Sequence, residues 1–273
     1  MTPAVPTVKD LVLIGGGHSH VTVLKRFGMR PIPGVRLTVI ARDLLTPYSG
    51  MLPGFIAGHY SFEECHIDLA PLAHFAGARL YHDEAVGIDR ENRRVRCADR
   101  PPVPYDLLSI DIGSRPRHDD VPGAELHATP VKPINDFAGR WRQIVERVLA
   151  EPRDLRLGVV GGGAGGVELA LAVQYRLRQL LREQGRDPDR QVMHLVTANG
   201  LLPTHNATVR AIFERVLAER KIVVHDHARV TGVEERRLVF ADRAPIALDE
   251  ILWVTEAAAS GWLRQAGLDC DER

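Results

Sequence analysis

The chain has no excess of charge of either sign, because Lys+Arg and Asp+Glu both number 35 among its 273 residues. Only four of the basic residues are lysines. A balanced chain has no general electrostatic field that would attract nucleic acid or an anionic membrane surface. Neither partner is therefore expected.

Cysteine and long apolar runs are also scarce. The three cysteines are odd in number and far apart in sequence, which argues against a disulfide framework and favours a reducing cytoplasm. No apolar run approaches the ~20 residues needed to cross a bilayer. The first ten residues lack the charged-then-apolar order of a signal peptide. We expect a cytoplasmic protein, with peripheral membrane association of a full-length form left open.

The chain does contain the same pattern twice. "LVLIGGGHSHV" at residues 11–21 and "LRLGVVGGGAGGVELALAV" at residues 155–173 each read as strand, glycine turn and helix. The spacing agrees as well, since Gly15 precedes Asp106 by 91 positions and Gly161 precedes Asp249 by 88. This duplication predicts an α/β fold with two Rossmann-like domains. Each would carry a parallel sheet and a small antiparallel β-meander.

Short sequence patterns predict individual elements in both copies. The Gly- and Pro-dense segment at residues 46–60 is predicted to be a long loop. "SFEE" at residues 61–64 is typical of a capping box, and Asp68 should start a short helix through Phe75. Three short strands are expected at residues 79–82, 85–89 and 94–97. In the second copy we expect a helix at residues 206–220 and a strand pair around residues 222–233.

"GGGAGG" at residues 161–166 is a complete dinucleotide-binding motif. Gly161 permits the tight turn, Gly163 lets the backbone approach a pyrophosphate, and Gly166 lets the helix pack close to the strand. A strand before the motif and a helix after it make the prediction specific. Two orientations are open for Glu168 on the following helix: its side chain faces either the cofactor or solvent.

"GGGHSH" at residues 15–20 keeps two of those three glycines. Gly15 and Gly17 retain the roles that matter for phosphate approach, while His20 replaces the third glycine and should cost only closeness of helix packing. We interpret the segment as the partner of the second motif. The alternative is a structural turn in an enzyme that binds a nicotinamide nucleotide alone.

Both copies lack the acidic residue that holds a ribose at the end of the second strand. Ala41, followed by Arg42, takes that place in the first copy, and Thr197 takes it in the second. The usual inference of NAD against NADP from an acidic residue is therefore not available. Recognition there must use hydroxyl or amide groups, or their neighbours.

Histidines do not form a predicted metal site. His18 and His20 diverge on a helix. His225 and His227 share one face of a predicted strand but lack a third ligand, so we expect an exposed pair. No metal is predicted.

The chain resembles the pyridine nucleotide-disulfide oxidoreductase superfamily. "YDLLSIDIGSRP" at residues 105–116 is similar to its flavin-side motif, and "LDEILWVTEAA" at residues 248–258 is similar to the counterpart leaving the nicotinamide domain. "TPYSGMLPG" and "VKPI" narrow the resemblance to a flavoprotein group related to type II NADH dehydrogenases and sulfide:quinone oxidoreductases. Members of that group often occur with selenide, water dikinase.

That resemblance implies FAD in a first domain and NAD(P)H in a second domain inserted into it. The expected bounds are residues 1–125 for the first part of the FAD domain, 126–256 for the NAD(P) domain and 257–273 for the return to the FAD domain. The implied FAD contacts are Gly15, Gly17, His18, Ser19, Ala41, Arg42, Pro47, Tyr48, Gly50, Met51, Leu52, Val86 and Gly113. The implied NAD(P) contacts are Gly161, Gly163, Ala164, Gly165, Gly166, Glu168 and Thr197.

The predicted activity is transfer of hydride from a nicotinamide to flavin and then to an acceptor, either a quinone or a small chalcogen species. Lys132 is the candidate catalytic residue, since a lysine near the flavin can stabilise negative charge on its reduced form. The resemblance also implies selenide, water dikinase as a partner, and a homodimer is the expected assembly. The alternative to an enzyme is a non-catalytic nucleotide-binding module that regulates selenophosphate synthesis.

Three departures from the family bear on this expectation. The loop after the second strand lacks the C-x-x-x-x-C pair of disulfide reductases, so thiol–disulfide exchange is not expected. Glu256 stands where the second motif normally has glycine. The chain ends at "LDCDER", ahead of the family's Gly-Asp segment and interface domain, which indicates C-terminal truncation.

Overall fold

The computed structural model describes residues 6, 9–116, 121–255 and 257–271. Its strands, in chain order, are β1 (Lys9–Ile14), β2 (Val35–Ala41), β3 (Leu45–Pro47), β4 (His66–Asp68), β5 (Arg79–His82), β6 (Ala85–Asp89), β7 (Arg94–Cys97), β8 (Val103–Pro104), β9 (Leu107–Ile110), β10 (Arg115–Pro116), β11 (Thr129–Pro130), β12 (Leu155–Val160), β13 (Gln191–Val196), β14 (Val223–His225), β15 (Val230–Glu234), β16 (Arg237–Phe240), β17 (Ile246–Ala247), β18 (Glu250–Trp253) and β19 (Ala257–Ala258).

The α-helices are α1 (His18–Met29), α2 (Leu52–Ala57), α3 (Leu69–Phe75), α4 (Ala124–His127), α5 (Ile134–Ala150), α6 (Ala164–Glu183), α7 (Ala207–Glu219) and α8 (Trp262–Gln265). Short 3₁₀ turns cover Ser49–Met51, Glu63–Cys65 and Pro188–Arg190. None of the helices in these described ranges is long and apolar enough to span a membrane.

The chain divides into two units. The first unit contains the described residues up to Tyr48, His66–Ser114 and the described residues from Ala259 onward. The second unit contains Ser49–Cys65 and the described part of Arg115–Ala258. The segment from Ser49 to Cys65 thus lies with the second unit, although it interrupts the sequence of the first.

Each unit is built on a parallel sheet, and the four strands of the first sheet have counterparts in the second, which adds β11 at one edge. The strand order is β5-β2-β1-β9 in the first unit and β11-β18-β12-β13-β14 in the second. An antiparallel meander accompanies each sheet, β6-β7-β8 in the first and β15-β16-β17 in the second. The predicted duplicated α/β fold is therefore confirmed.

The duplication extends to individual hydrogen bonds. The carboxylate of Asp106 accepts the backbone N–H of Asp10 at 2.7 Å, where β1 begins. The carboxylate of Asp249 accepts the backbone N–H of Arg156 at 2.9 Å, at the corresponding place in β12. These are the two aspartates whose matching distance from the glycine turns indicated the repeat.

Both faces of each parallel sheet are covered, which explains the nearly continuous apolar runs of its strands. In the first unit, Val12 and Ile14 pack on the side of the meander, while Leu13 packs against Leu24 and Leu69 of the two helices. The second unit repeats this arrangement with larger clusters on either side of β12 and β13.

The prediction of a long loop at residues 46–60 was wrong. The segment contains β3, a 3₁₀ turn and α2, whose Ile56 and Ala57 are buried in the same apolar cluster as much of α6. Proline near a helix N-terminus loses no hydrogen bond, and Pro53 stands there. Gly58, with φ of +80°, ends the helix. Two of the residues that indicated a loop, Pro53 and Gly58, therefore mark the ends of a helix.

Other local predictions can be compared directly with the observed elements and hydrogen bonds. The capping box is confirmed by reciprocal bonds between Ser61 and Glu64, and Asp68 caps α3 through Ala70 N–H at 2.9 Å. The predicted strand pair around residues 222–233 was wrong, because β14 extends the parallel sheet beside β13 while β15 joins the meander. Glu256 lies outside the described residues.

Candidate functional site

The second glycine turn, residues 161–165, forms what we call the second cradle. A Cβ built on Gly161 (φ +139°) would overlap the carbonyl oxygen of Val254, and one on Gly166 would overlap the carbonyl oxygen of Gly161. Both glycines are therefore required by the protein's own backbone. Gly163 differs, since a Cβ there would meet nothing within 4 Å. Packing within the described part of the protein therefore does not require glycine at this position.

The N-terminal end of α6, which lies in the second cradle, is suited to binding an anion. Gly163 is the N-cap and offers no side-chain cap, and Ala164 and Gly165 begin the helix. The first N–H groups of a helix have no partner within it, and its dipole favours negative charge. The residues therefore fit the pyrophosphate of a dinucleotide.

The first glycine turn, residues 15–19, forms the first cradle at the start of α1. Gly15 has φ of +93°, and a Cβ on it would overlap the carbonyl oxygen of Asp111. The Gly17 N–H donates to that same carbonyl at 3.1 Å, and the Ser19 N–H donates to the Asp111 carboxylate at 3.0 Å. The backbone fits a dinucleotide as in the second cradle, but here a side chain of the protein already contacts the helix end.

The sequence predicts only that His20 loosens the packing of α1. In the structure its side chain makes two further contacts. Its side chain is 1% exposed, with Nδ1 2.8 Å from the carbonyl oxygen of Gly15 and Nε2 2.9 Å from the hydroxyl of Ser109. Because a carbonyl can only accept, Nδ1 donates to Gly15, while Nε2 lies within hydrogen-bond distance of the Ser109 hydroxyl. The imidazole therefore connects the first cradle to β9.

A cavity of about 210 Å³ lies in the second unit and brings together four predicted site residues, Leu52, Lys132, Gly165 and Glu168. Glu168 is exposed on α6 and borders this space. The rest of the lining is Ser49, Pro53, Val131, Ile134, Leu169, Trp253, Val254 and Thr255. A mostly apolar cavity with one basic and one acidic side chain, next to a helix N-terminus, can hold a flat polar ring.

Thr197, where the ribose acid is missing, is 1% exposed. Its hydroxyl donates to the carbonyl oxygen of Gly200 at 2.6 Å, and its backbone N–H donates to the carbonyl oxygen of His225 at 3.0 Å. A Cβ on Gly162 would overlap the threonine hydroxyl. The residue holds the loop after β13 against the second cradle.

The histidine pair at residues 225 and 227 is not as predicted. β14 ends at His225, and His227 lies in the following turn with φ of +48° and a side chain 75% exposed. His225 instead meets His194 of β13, with their nitrogens 2.9 Å apart and their rings stacked at 5.2 Å. The strand is shorter than the pattern indicated, so the two imidazoles of "HDH" do not share a face.

Burial, together with the neighbouring His225, lowers the pKa of His194 to about 4. Burial also lowers the pKa of His225. Both rings are therefore neutral at neutral pH. Within the described ranges, no group of three or more His, Cys, Asp or Glu side chains could hold a metal ion.

The remaining predicted flavin contacts are divided between the units. His18 and Tyr48 lie together in the first unit, with ring centroids 5.0 Å apart, and Pro47 pairs with His66 between β3 and β4. Gly50 and Met51 belong to the 3₁₀ turn of the second unit.

Four further predicted positions lie in the first unit. Ala41 is buried at the end of β2, and Arg42 is ion-paired with Asp43 at 2.8 Å. Val86 is 47% exposed on β6, and Gly113 adopts φ of +75° with open space around it.

Comparison with known proteins places these motifs in context. The sequence model described as "Pyridine nucleotide-disulphide oxidoreductase" matches residues 9–273. An external alternative NADH-ubiquinone oxidoreductase of Yarrowia lipolytica is 25% identical over 255 residues, covering 85% of this chain and 44% of its own length. The probable ferredoxin reductase CtmF of Castellaniella defragrans is 27% identical over 167 residues, covering 60% of this chain and 39% of its own length.

Solved structures show the same fold. NDH2 from Plasmodium falciparum, in complex with NADH, superimposes with a TM-score of 0.81 at 16% identity, covering 94% of this chain and 57% of that protein. The chain therefore spans less than half the length of the two curated relatives above and just over half of this structure.

Proposed function

The chain belongs to the pyridine nucleotide-disulphide oxidoreductase family, and on that premise we propose that it is the dinucleotide-binding part of an FAD-dependent NAD(P)H oxidoreductase. FAD would bind at the first cradle and NAD(P)H at the second. Flavin, when bound, supplies the chemistry by accepting hydride from the nicotinamide and passing electrons onward.

One observation carries the proposal: two equivalent cradles occur in one polypeptide. Each has a glycine of positive φ packed on the carbonyl of the residue that follows the neighbouring strand, Asp111 in one case and Val254 in the other. A protein that binds one nicotinamide nucleotide needs only one such turn. Two turns support binding of two dinucleotides.

The cavity of the second unit supports specific roles for two side chains. We propose that Glu168 helps to orient the nicotinamide ring and that Lys132 stabilises negative charge that develops during reduction. Both border the same space as Gly165, at the N-terminal end of α6. Neighbours that exclude water from it, such as Leu52 and Trp253, would strengthen these electrostatic effects.

For the electron acceptor we favour a quinone, because the Yarrowia relative is named an NADH-ubiquinone oxidoreductase. The small chalcogen species and the link to selenide, water dikinase rest on the motifs in residues 46–54 and 131–134 and stay predictions. A homodimer and a cytoplasmic location also stay predictions.

The first test is spectroscopic. Protein purified with added FAD should show bound-flavin absorption bands, and these should bleach when NADH or NADPH is added without oxygen. Absence of bound flavin would favour an enzyme that uses nicotinamide alone. Bound flavin that neither donor bleaches would favour a non-catalytic nucleotide-binding module.

Gly163→Ala provides a sharper test of the second cradle. The protein has room for the added methyl group, so the fold should be unchanged, but the methyl stands where a pyrophosphate must approach. We expect NAD(P)H to bind roughly tenfold or more weakly, a loss of ~1.4 kcal/mol. Gly139→Ala is the matched control, since that exposed glycine of α5 also has nothing within 4 Å of an added Cβ and lies outside the cavity lining.

A further inference from the structure

The two cradles share several backbone contacts. The N–H of Asp111 donates to the carbonyl oxygen of Ile14 at 2.8 Å, and the N–H of Val254 donates to that of Val160, also at 2.8 Å. Each of these residues follows the strand beside the glycine turn, and each presents its own carbonyl to the first glycine of that turn. Asp111 and Val254 therefore occupy the same position in the two copies.

The side chains at this position make the cradles different. A Cβ on Gly17 would overlap the carboxylate of Asp111, and that carboxylate accepts the Ser19 N–H at 3.0 Å. At the corresponding Gly163, a Cβ would meet nothing within 4 Å. The first cradle is filled by an anion of the protein, whereas the second is open.

We infer that Asp111 sets the affinity of the first cradle by competing with the phosphates of its ligand. Its carboxylate accepts from an N–H of the first turn of α1, where a bound anion would be stabilised by the free N–H groups and the helix dipole. A pyrophosphate in the same place would meet a negative charge at close range. Binding of FAD therefore requires the Asp111 side chain to rotate away.

This inference rests on the proposed function, because it takes FAD as the ligand of the first cradle. It adds a residue of this chain that opposes binding. The same side chain satisfies a helix N–H when no ligand is present, so it stabilises the ligand-free protein. A valine at the equivalent position of the second copy has neither effect.

The experiment measures FAD affinity by quenching of flavin fluorescence, without any turnover. Asp111→Asn keeps an oxygen that can accept the Ser19 N–H and removes the charge, so it should bind FAD about tenfold more tightly. Asp111→Val copies the second cradle and should also bind more tightly. Asp99→Asn, an exposed aspartate in the same unit, should leave affinity unchanged.

NADH affinity provides an internal control, since the second cradle is untouched and its binding should be the same in every variant. Equal or weaker FAD binding by both Asp111 variants than by the wild type would overturn this inference while leaving the proposed function standing. If neither the wild type nor any of the variants binds FAD, the assignment of FAD to the first cradle is overturned. If Asp111→Val does not fold, Asp111→Asn alone decides.

Discussion

The pair formed by His194 and His225 predicts that the protein loses stability in mild acid. An ordinary histidine has a pKa of about 6.5, so His194 in the unfolded chain takes up a proton as the pH falls through that value. The folded protein resists protonation until the pH approaches the His194 pKa of about 4. Stability is therefore present above pH 6.5 and is lost progressively down to about pH 4.

The size of the loss follows from these two values. Between pH 7 and pH 5, linkage lowers the free energy of unfolding by about 2 kcal/mol through His194 alone. His225 adds to the loss in the same direction, because burial lowers its pKa as well. The N–H of Thr197 donates to the carbonyl of His225, so the loop beside the second cradle should loosen along with the pair.

The assay is urea unfolding at pH 7 and pH 5 for the wild type and His194→Asn. Asparagine can keep a hydrogen bond to His225 but does not titrate, so this variant should lose about 2 kcal/mol less than the wild type between the two pH values. His227→Asn removes an exposed histidine and should behave as the wild type does. Equal losses in the wild type and His194→Asn would refute the reasoning.

Three further outcomes are expected. Gly166→Ala should destabilise the protein by several kcal/mol, unlike substitution of an open glycine, because its methyl group overlaps the carbonyl of Gly161; thermal unfolding measures this. Asn206→Ala should cost ~1 kcal/mol in urea unfolding, because the side chain that caps α7 is lost. An aromatic disulfide reagent should label Cys270 well before Cys65, since Cys65 is 5% exposed and burial raises the pKa of its thiol; simultaneous labelling would contradict this.

The sequence predicted the parts of the site that depend on local backbone geometry. Gly15 and Gly161 could be recognised because a tight turn after a buried strand demands positive φ. The repeat could be recognised because Asp106 and Asp249 stand at nearly equal distances from those glycines. The start of α3 could be recognised because the side chain of Asp68 caps the first turn of that helix.

Contacts between distant segments could not be predicted in this way. His20 was recognised as a departure from the glycine pattern, but its bond to Ser109 depends on the pairing of β1 with β9. The contact of His194 could not be predicted because its partner, His225, is 31 positions away, on a neighbouring strand. Asp111 belongs to a motif that can be recognised in the sequence. The contact of its side chain with the N-terminus of α1 depends on the fold and could not be predicted.

The interleaved order of segments along the chain has a consequence for biosynthesis. The ribosome completes every strand of the second unit by Ala258, whereas the first unit still needs α8, whose Trp262 packs with Ile88 and Val95 of its meander. The first unit, whose strands emerge earliest, must therefore wait with part of the apolar surface of its meander uncovered while the second unit is finished. We expect nascent chains that stop near residue 258 to recruit chaperones, and chains extended past α8 to recruit fewer.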